Sequence, residues 1–167
     1  FEEKKYGDIW DKEKYLNWMY ENLMAIKAVM SDTASIYVHL DWHIGHYVKI
    51  LLDEIFGEAN FRNEIVWHYY NKMQGNVNRF ASDHDVIFVY SMSDSYTFHA
   101  VKEKREESVR QIKRVWDKQK QKLVNAKDEH GHVQYIETDE KTVDDVWRIP
   151  MLQPADKTEV VDYATQK

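Results

Sequence analysis

Between residues 35 and 70 the apolar positions change period twice. Ser35-Ile36-Tyr37-Val38-His39-Leu40 is rich in β-branched and aromatic residues and stops at the polar Asp41, which predicts a strand. From His43 to Phe56 the apolar residues Ile44, Tyr47, Val48, Leu51, Leu52 and Ile55 recur every three or four positions, one face of a helix, and Gly57 ends it. A second strand-like run, Ile65-Val66-Trp67-His68-Tyr69-Tyr70, follows a short polar link. Strand, helix and strand at this spacing predict a crossover unit with its two strands parallel. Upstream, Tyr15, Met19, Leu23, Ile26 and Met30 share one face of a helix expected over 11–30. Downstream, Asp85-Val86-Ile87-Phe88-Val89-Tyr90 is short and almost wholly apolar, a buried strand closed by Ser91. These elements predict an α/β fold: one sheet with both helices packed on it.

The rest of the chain is more polar. Between Tyr70 and Asp85 periodicity is lost among Asn71, Lys72, Gln74, Gly75, Asn76, Asn78 and Arg79, a pattern read as a mobile polar loop. Tyr96-Thr97-Phe98 suggests a further short strand. Over 102–127, ten Lys and Arg stand against four Asp and Glu, while Val109, Ile112, Val115, Trp116 and Leu123 keep a helical period. The expectation is a basic helix, either simply solvated or laid along phosphates, where each cation adds salt-dependent and sequence-blind affinity. Asp128-Glu129-His130-Gly131-His132 then reads as a turn and Val133-Gln134-Tyr135-Ile136 as a short strand. His130 and His132 are turn residues on this reading, and no metal site is expected.

Composition narrows the picture. With 167 residues the chain holds one domain with a core, or a domain and an appendage. It lacks cysteine, which excludes disulfides and thiolate metal sites and points to a reducing, cytoplasmic setting. No apolar run approaches the ~20 residues of a membrane helix, and Phe1-Glu2-Glu3-Lys4-Lys5 is no signal peptide. The net charge of −6 argues against a nonspecific nucleic-acid coat, yet a local basic face still binds DNA on an acidic protein. Six Trp and eleven Tyr supply rings either for a core or for stacking on bases.

Three words in order, Ser35-Ile36-Tyr37-Val38-His39-Leu40-Asp41, Leu52-Asp53-Glu54-Ile55-Phe56-Gly57 and Phe61-Arg62-Asn63-Glu64-Ile65-Val66-Trp67, carry a family likeness. They resemble the β-class amino-methyltransferases of DNA, above all the modification subunits of type III restriction systems and their adenine-specific relatives. The resemblance covers residues 15–96, is weakest over the basic stretch, and resumes at Asp144-Asp145-Val146-Trp147-Arg148-Ile149-Pro150 and at Tyr163-Ala164-Thr165-Gln166-Lys167, where Ala164 replaces the family's usual proline.

The resemblance implies a partial Rossmann-like methyltransferase sheet with an α+β target-recognition insert. Residues 1–98 would be the central part of the catalytic domain, 99–150 the target-recognition region and 151–167 the return to the core. It implies methyl transfer from S-adenosylmethionine to the exocyclic amine of adenine in double-stranded DNA, with a restriction subunit and a second methyltransferase subunit as possible partners. Such chemistry flips the base and needs acceptors for the amine hydrogens so that the nitrogen lone pair turns to the methyl group. In the family an Asp-Pro-Pro-aromatic loop supplies them and a Gly loop holds the donor. Neither is present, since the only prolines are Pro150 and Pro154. The catalytic loop is therefore expected upstream of Phe1, and the chain alone is expected to be inactive.

Trp67, Tyr69 and Tyr70 are the candidates for one wall of the base pocket, because ligands of open α/β sheets collect beyond the carboxyl ends of strands. Alternation puts Trp67 and Tyr69 on one face and Tyr70 on the other. His39 and Asp41 also share a face, as a cleft pair or as a buried hydrogen-bonded pair. Candidate DNA contacts are Lys72, Arg79, Arg110, Lys113, Arg114 and Lys118. The alternatives are cytosine amino-methylation by the same class, or a nucleic-acid-binding or protein-interaction α/β module with no enzyme attached. The adjoining sequence discriminates them: both missing motifs mark an enzyme, and their absence a module.

Overall fold

The computed structural model describes residues 11–72 and 78–153. The loop residues Gln74, Gly75 and Asn76 and the block 163–167 lie outside them. The chain divides into two compact units, Phe1–Thr97 with Asp145–Lys167, and Phe98–Asp144.

In the first unit, helix α1 spans Lys12–Val29 and is capped by the Asp11 carboxylate, which accepts from the Glu13 N–H at 2.9 Å. Strand β1 is Ser35–Leu40, helix α2 is Gly45–Phe56, strand β2 is Phe61–His68 and strand β3 is His84–Ser91. Asp41 shapes the β1–α2 turn: its carboxylate accepts from the His43 N–H at 2.9 Å and its carbonyl from the Gly45 N–H at 3.0 Å. Gly57 stops α2 at φ +91°, a backbone shape that costs glycine nothing and strains other residues.

The expected strands do share a sheet, but it is mixed. Its order is β1-β3-β2-β8, where β8 is Val146–Arg148. Strand β3 runs antiparallel to both β1 and β2, and β8 runs parallel to β2. So β1 and β2 do point the same way, as a crossover requires, yet β3 lies between them and pairs with each. An unbroken apolar strand buried on both faces suits that central place, and its direction was not legible because the return loop, not the strand, sets it.

One face of the sheet carries the helices. Leu40, Val86, Phe88 and Tyr90 pack there against Leu23 of α1 and Val48, Leu52, Ile55 and Phe56 of α2, all in one buried cluster. Each such side chain contributes about 1.5–3 kcal/mol by leaving water. A bulge between Phe61 and Asn63 shifts the start of β2. The opposite face presents Tyr37, His39, Trp67, Asp85 and Ile87, which the register places on the alternate positions. The possible strand at Tyr96-Thr97-Phe98 is irregular chain instead.

The second unit overturns the expected basic helix. Its residues form β4 (Lys102–Ile112), β5 (Arg114–Asp117), β6 (Lys122–Asn125) and β7 (Tyr135–Thr142). Strand β4 pairs with β7 and β5 with β6, all antiparallel. The apolar residues that mimic a three-and-four period are cross-strand partners: Val115 faces Val124, and Trp116 faces Leu123. Turn chemistry breaks the stretch, since Asp117 accepts from the N–H groups of Gln119 and Lys120 and Gln121 sits at φ +49°. Three backbone bonds, Lys113 N–H to Gln134, Ala126 N–H to Lys113 and Gln134 N–H to Ala126, tie hairpin and ladder together around buried Ala126. The described residues of this unit contain strands and turns but no helix, so the helical half of the expected α+β insert is corrected.

Candidate functional site

Strands β1 and β2 end, and β3 begins, along the same edge of the sheet, and polar and aromatic side chains gather there. Asp85 is the second residue of the largely apolar β3 yet is only 3% exposed. Its Oδ2 lies 2.9 Å from Nε2 of His39, and its Oδ1 accepts from the Tyr69 hydroxyl at 3.1 Å. The Trp67 ring lies 5.5 Å from the His39 ring and meets Tyr69 edge-on at 6.0 Å. Its indole N–H donates to the Ile149 carbonyl at 2.8 Å, fastening the segment after β8 to the site.

The three wall candidates separate by burial. Trp67 is half-buried on β2, Tyr69 is buried just past its end, and Tyr70 is 61% exposed. Trp67 and Tyr69 touch, as alternation requires. Burial first, and then the Asp85 charge and hydrogen bond, raise the Tyr69 hydroxyl well above its usual range, so it stays a neutral donor. Tyr69 is thus the buried member of the three, and the Tyr70 ring lies 6.4 Å from the His68 ring rather than against Trp67. His39 and Asp41 do not pair with one another: His39 turns to Asp85, while Asp41 meets His43 Nδ1 at 3.1 Å.

Around this edge, Lys72 donates to the Ser82 carbonyl at 3.1 Å and lies 5.0 Å over the Tyr69 ring. The Arg79 guanidinium is 5.6 Å over the Trp42 ring, and Trp42 stacks on His43 at 3.6 Å. Asn71 holds Met151 by two bonds, donating to its carbonyl at 2.9 Å and accepting from its N–H at 2.8 Å. Sequence reasoning missed Asp85 as the hub. The available signal was an acid at the start of an otherwise apolar strand, because a buried carboxylate must find partners.

In the second unit Arg110, Lys113, Arg114 and Lys118 are all exposed, on strands and turns rather than one helical face. Arg110 lies 4.4 Å over the Tyr135 ring, and with Lys113 it lines an open recess of about 530 Å³. His132 and Asp128 approach to 3.4 Å, and the Asp128 carboxylate also accepts from the N–H groups of His130 and His132, which makes it a turn former. Among the described residues no group of three or more His, Cys, Asp or Glu is placed to hold a metal ion.

Comparison with known proteins decides the family. A family of DNA methylases, the N6 and N4 methyltransferases, matches residues 1–167. The chain belongs to the DNA methylases. Among its relatives, the type II methyltransferase M.EcaI of Enterobacter cloacae is 32% identical over 97 residues, 58% of this chain and 22% of that protein. The EcoP15I Mod subunit of a type III restriction-modification enzyme from Escherichia coli is 30% identical over 77 residues, 46% of this chain and 12% of the relative. The type II methyltransferase M.KpnI of Klebsiella pneumoniae is 31% identical over 81 residues, 48% of the chain and 19% of the relative. These alignments span at most about a fifth of each of these methylases.

Methylases of this kind take their methyl group from S-adenosylmethionine. The recess at the sheet edge, bounded by Asp41, Trp42, Gly45, His46, Glu64, His84, Asp85 and Val86, measures about 90 Å³. Ligand pockets run to roughly 300–1,000 Å³, so this recess does not fit the donor. No helix among the described residues is long and apolar enough to cross a membrane.

Proposed function

We propose that the chain is the middle of a site-specific DNA methyltransferase of a restriction-modification system, one that methylates the exocyclic amine of adenine. The match of the DNA methylase family along all of 1–167 carries this reading. Type III modification subunits among the relatives favour restriction-modification. Adenine over cytosine rests on the likeness of the sequence words to adenine-specific enzymes.

On this reading residues 1–98 belong to the catalytic domain, 99–150 recognise the target, and 151–167 lead back to the core. Trp67 and Tyr70 form one wall of the pocket for the flipped base, an aromatic platform of the kind on which bases stack. Tyr69 supports that wall from below through Asp85. Lys72 and Arg79 stand by the same edge, while Arg110, Lys113, Arg114 and Lys118 contact phosphates of duplex DNA. S-adenosylmethionine and the acceptors for the amine hydrogens are held by parts of the whole enzyme beyond this chain, which by itself neither binds the donor nor transfers methyl groups. A restriction subunit and a second methyltransferase subunit are the protein partners, in the cytoplasm.

The test is methyl transfer by the complete reading frame. The expected product, after digestion of DNA treated with isotopically labelled S-adenosylmethionine, is N6-methyladenine by mass spectrometry. N4-methylcytosine would move the assignment to cytosine, and no labelled base at all would leave the α/β binding module. Titration of the 167-residue chain with S-adenosylmethionine should give no binding heat; a low-micromolar dissociation constant, typical of a cofactor site, would place the donor site within it.

A further inference from the structure

Positive charge in the second unit is not spread evenly. Residues 114–125, the β5–β6 hairpin, carry four cations, Arg114, Lys118, Lys120 and Lys122, against Asp117 alone. The rest of Phe98–Asp144 has seven Lys or Arg against nine Asp or Glu. The hairpin is therefore a basic finger at +3 on a unit that is otherwise at −2. Its tip is rigidly built. Asp117 accepts from the N–H groups of Gln119 at 2.9 Å and Lys120 at 3.0 Å, and its other oxygen lies 3.6 Å from the Lys120 ammonium. The one acid is thus consumed by the turn, and the lysines alternate with two amides in the order Lys118-Gln119-Lys120-Gln121-Lys122. On one side of the ribbon Trp116 and Leu123 face each other across the strands, 60% and 58% exposed.

We infer that the β5–β6 hairpin enters a groove of duplex DNA, its lysines on phosphates and its Gln119 and Gln121 amides on base edges. This rests on the methylase reading and deepens it by naming the reading element. Two antiparallel strands lie about 4.8 Å apart, and a two-stranded ribbon fits a major groove about 12 Å wide. Lysine is a point charge suited to phosphate, whereas a glutamine amide matches the donor and acceptor of an adenine edge in pairs. Phosphate contacts set register and amides set sequence, so alternation of the two types supplies both functions within one turn. The exposed Trp116–Leu123 pair gives the ribbon an apolar flank that is covered when the finger is seated.

The experiment uses the 167-residue chain and a fluorescent duplex of about thirty base pairs with a random centre, in anisotropy titrations at several salt concentrations. Replacing Lys118, Lys120 and Lys122 together with Gln should weaken binding tenfold or more and flatten the slope of log K against log salt by roughly 0.9 for each lost contact. Replacing Lys102, Lys104 and Lys141 on β4 and β7 makes the same charge change in the same unit and should leave the slope as it was. Circular dichroism checks that both variants keep the parent's fold. Equal weakening by the two sets would mean bulk charge and overturn the inference, as would a parent chain that binds no duplex, or a tip variant that binds like the parent. Sequencing of the duplexes retained by the Gln119→Ala, Gln121→Gly double variant should show the parent's preference lost with bulk affinity unchanged; a retained preference removes the glutamines from the reading. Methyl transfer by the complete reading frame is scored separately, so an active methylase with an indifferent hairpin refutes this inference and leaves the proposed function standing.

Discussion

The His39 Nε2 and Asp85 Oδ2 atoms are 2.9 Å apart, joining an imidazole at the end of β1 to a buried carboxylate at the start of β3. Because the Tyr69 hydroxyl donates to the other oxygen, one carboxylate fixes a ring from β1 and a ring that follows β2. Three chain segments are thereby held together at one edge of the sheet.

Asp85→Asn should cost about 1–3 kcal/mol, since an amide presents N–H to a site built from donors and leaves a buried group unpaired. Tyr69→Phe removes one buried hydrogen bond and should cost about 1 kcal/mol. His39→Gln, at a side chain 35% exposed, should cost less than either. Urea midpoints measure all three. An Asp85→Asn chain as stable as the parent would show that the carboxylate does not hold the edge together.

Stability should also depend on Asp53. Burial pushes its carboxyl up, but the Lys49 ammonium at 2.7 Å and the Tyr90 hydroxyl at 2.5 Å outweigh burial and hold it below the usual range. A carboxyl depressed in the folded state stabilises the fold above its unfolded value of about 3.9, and that contribution is lost as pH falls through the folded value. Asp53→Asn should therefore lower the urea midpoint at pH 7 and flatten its fall between pH 5 and pH 3.

The alkaline limb has the opposite sign. Burial first and then a carboxylate, Asp85 for Tyr69 and Asp53 for Tyr90, raise both phenols well above their usual range. A phenol raised in the folded state contributes stability that is complete below its unfolded value of about 10 and declines as pH climbs toward the folded one. Absorbance of phenolate should therefore rise in two stages, with these two tyrosines contributing only to the second, as the chain unfolds. Tyr90→Phe should take one tyrosine out of the second stage.

Helix α2 offers a test of the core. Leu52 is fully buried between α2 and the sheet, so Leu52→Ala should cost about 2–5 kcal/mol through lost burial and a cavity. Gly45→Ala is a subtler change, because a Cβ there would sit 3.2 Å from Val86 Cγ2. Overpacking opposes a gain of up to about 1 kcal/mol in helix propensity, so its net effect should be far smaller than that of Leu52→Ala. Thermal unfolding of both variants reads the difference.

What the sequence revealed follows from where its physics is local. The apolar stripes of α1 and α2 and the runs of β1 and β3 are local patterns, and those elements are where periodicity puts them, whereas β2 begins earlier, at Phe61, and ends at His68, short of Tyr69 and Tyr70. Placing β3 between β1 and β2 depends on a long return loop, which no period encodes. The basic stretch misled because Val109, Ile112, Val115, Trp116 and Leu123 fit a helical spacing, while cross-strand pairing of Val115 with Val124 and Trp116 with Leu123 brings apolar residues together equally well. Asp117 at the turn and Gln121 at positive φ were the local signals against a helix. At the candidate site the rings were legible by type, whereas Asp85 acquires its role only when β1, β2 and the residues after β2 converge on it.

The rings at the edge of the sheet should divide binding from turnover. Tyr70 is 61% exposed and Trp67 half-buried, so these two are available to a base that has left the stack, while Tyr69 at 1% is not. A platform of this kind acts only after flipping, and the phosphate contacts that set duplex affinity are made before it. In the complete methylase, Tyr70→Ala should therefore leave duplex affinity within about twofold and lower kcat by about five- to 150-fold, as expected when stacking worth about 1–3 kcal/mol is lost. Trp67→Phe keeps a ring but loses the N–H bond to Ile149, so it should cost about 1 kcal/mol of stability with a smaller fall in kcat. Duplex affinity by anisotropy and single-turnover methylation on the same DNA separate the two effects. Loss of affinity in step with kcat on Tyr70→Ala would make Tyr70 a duplex contact and remove it from the pocket wall.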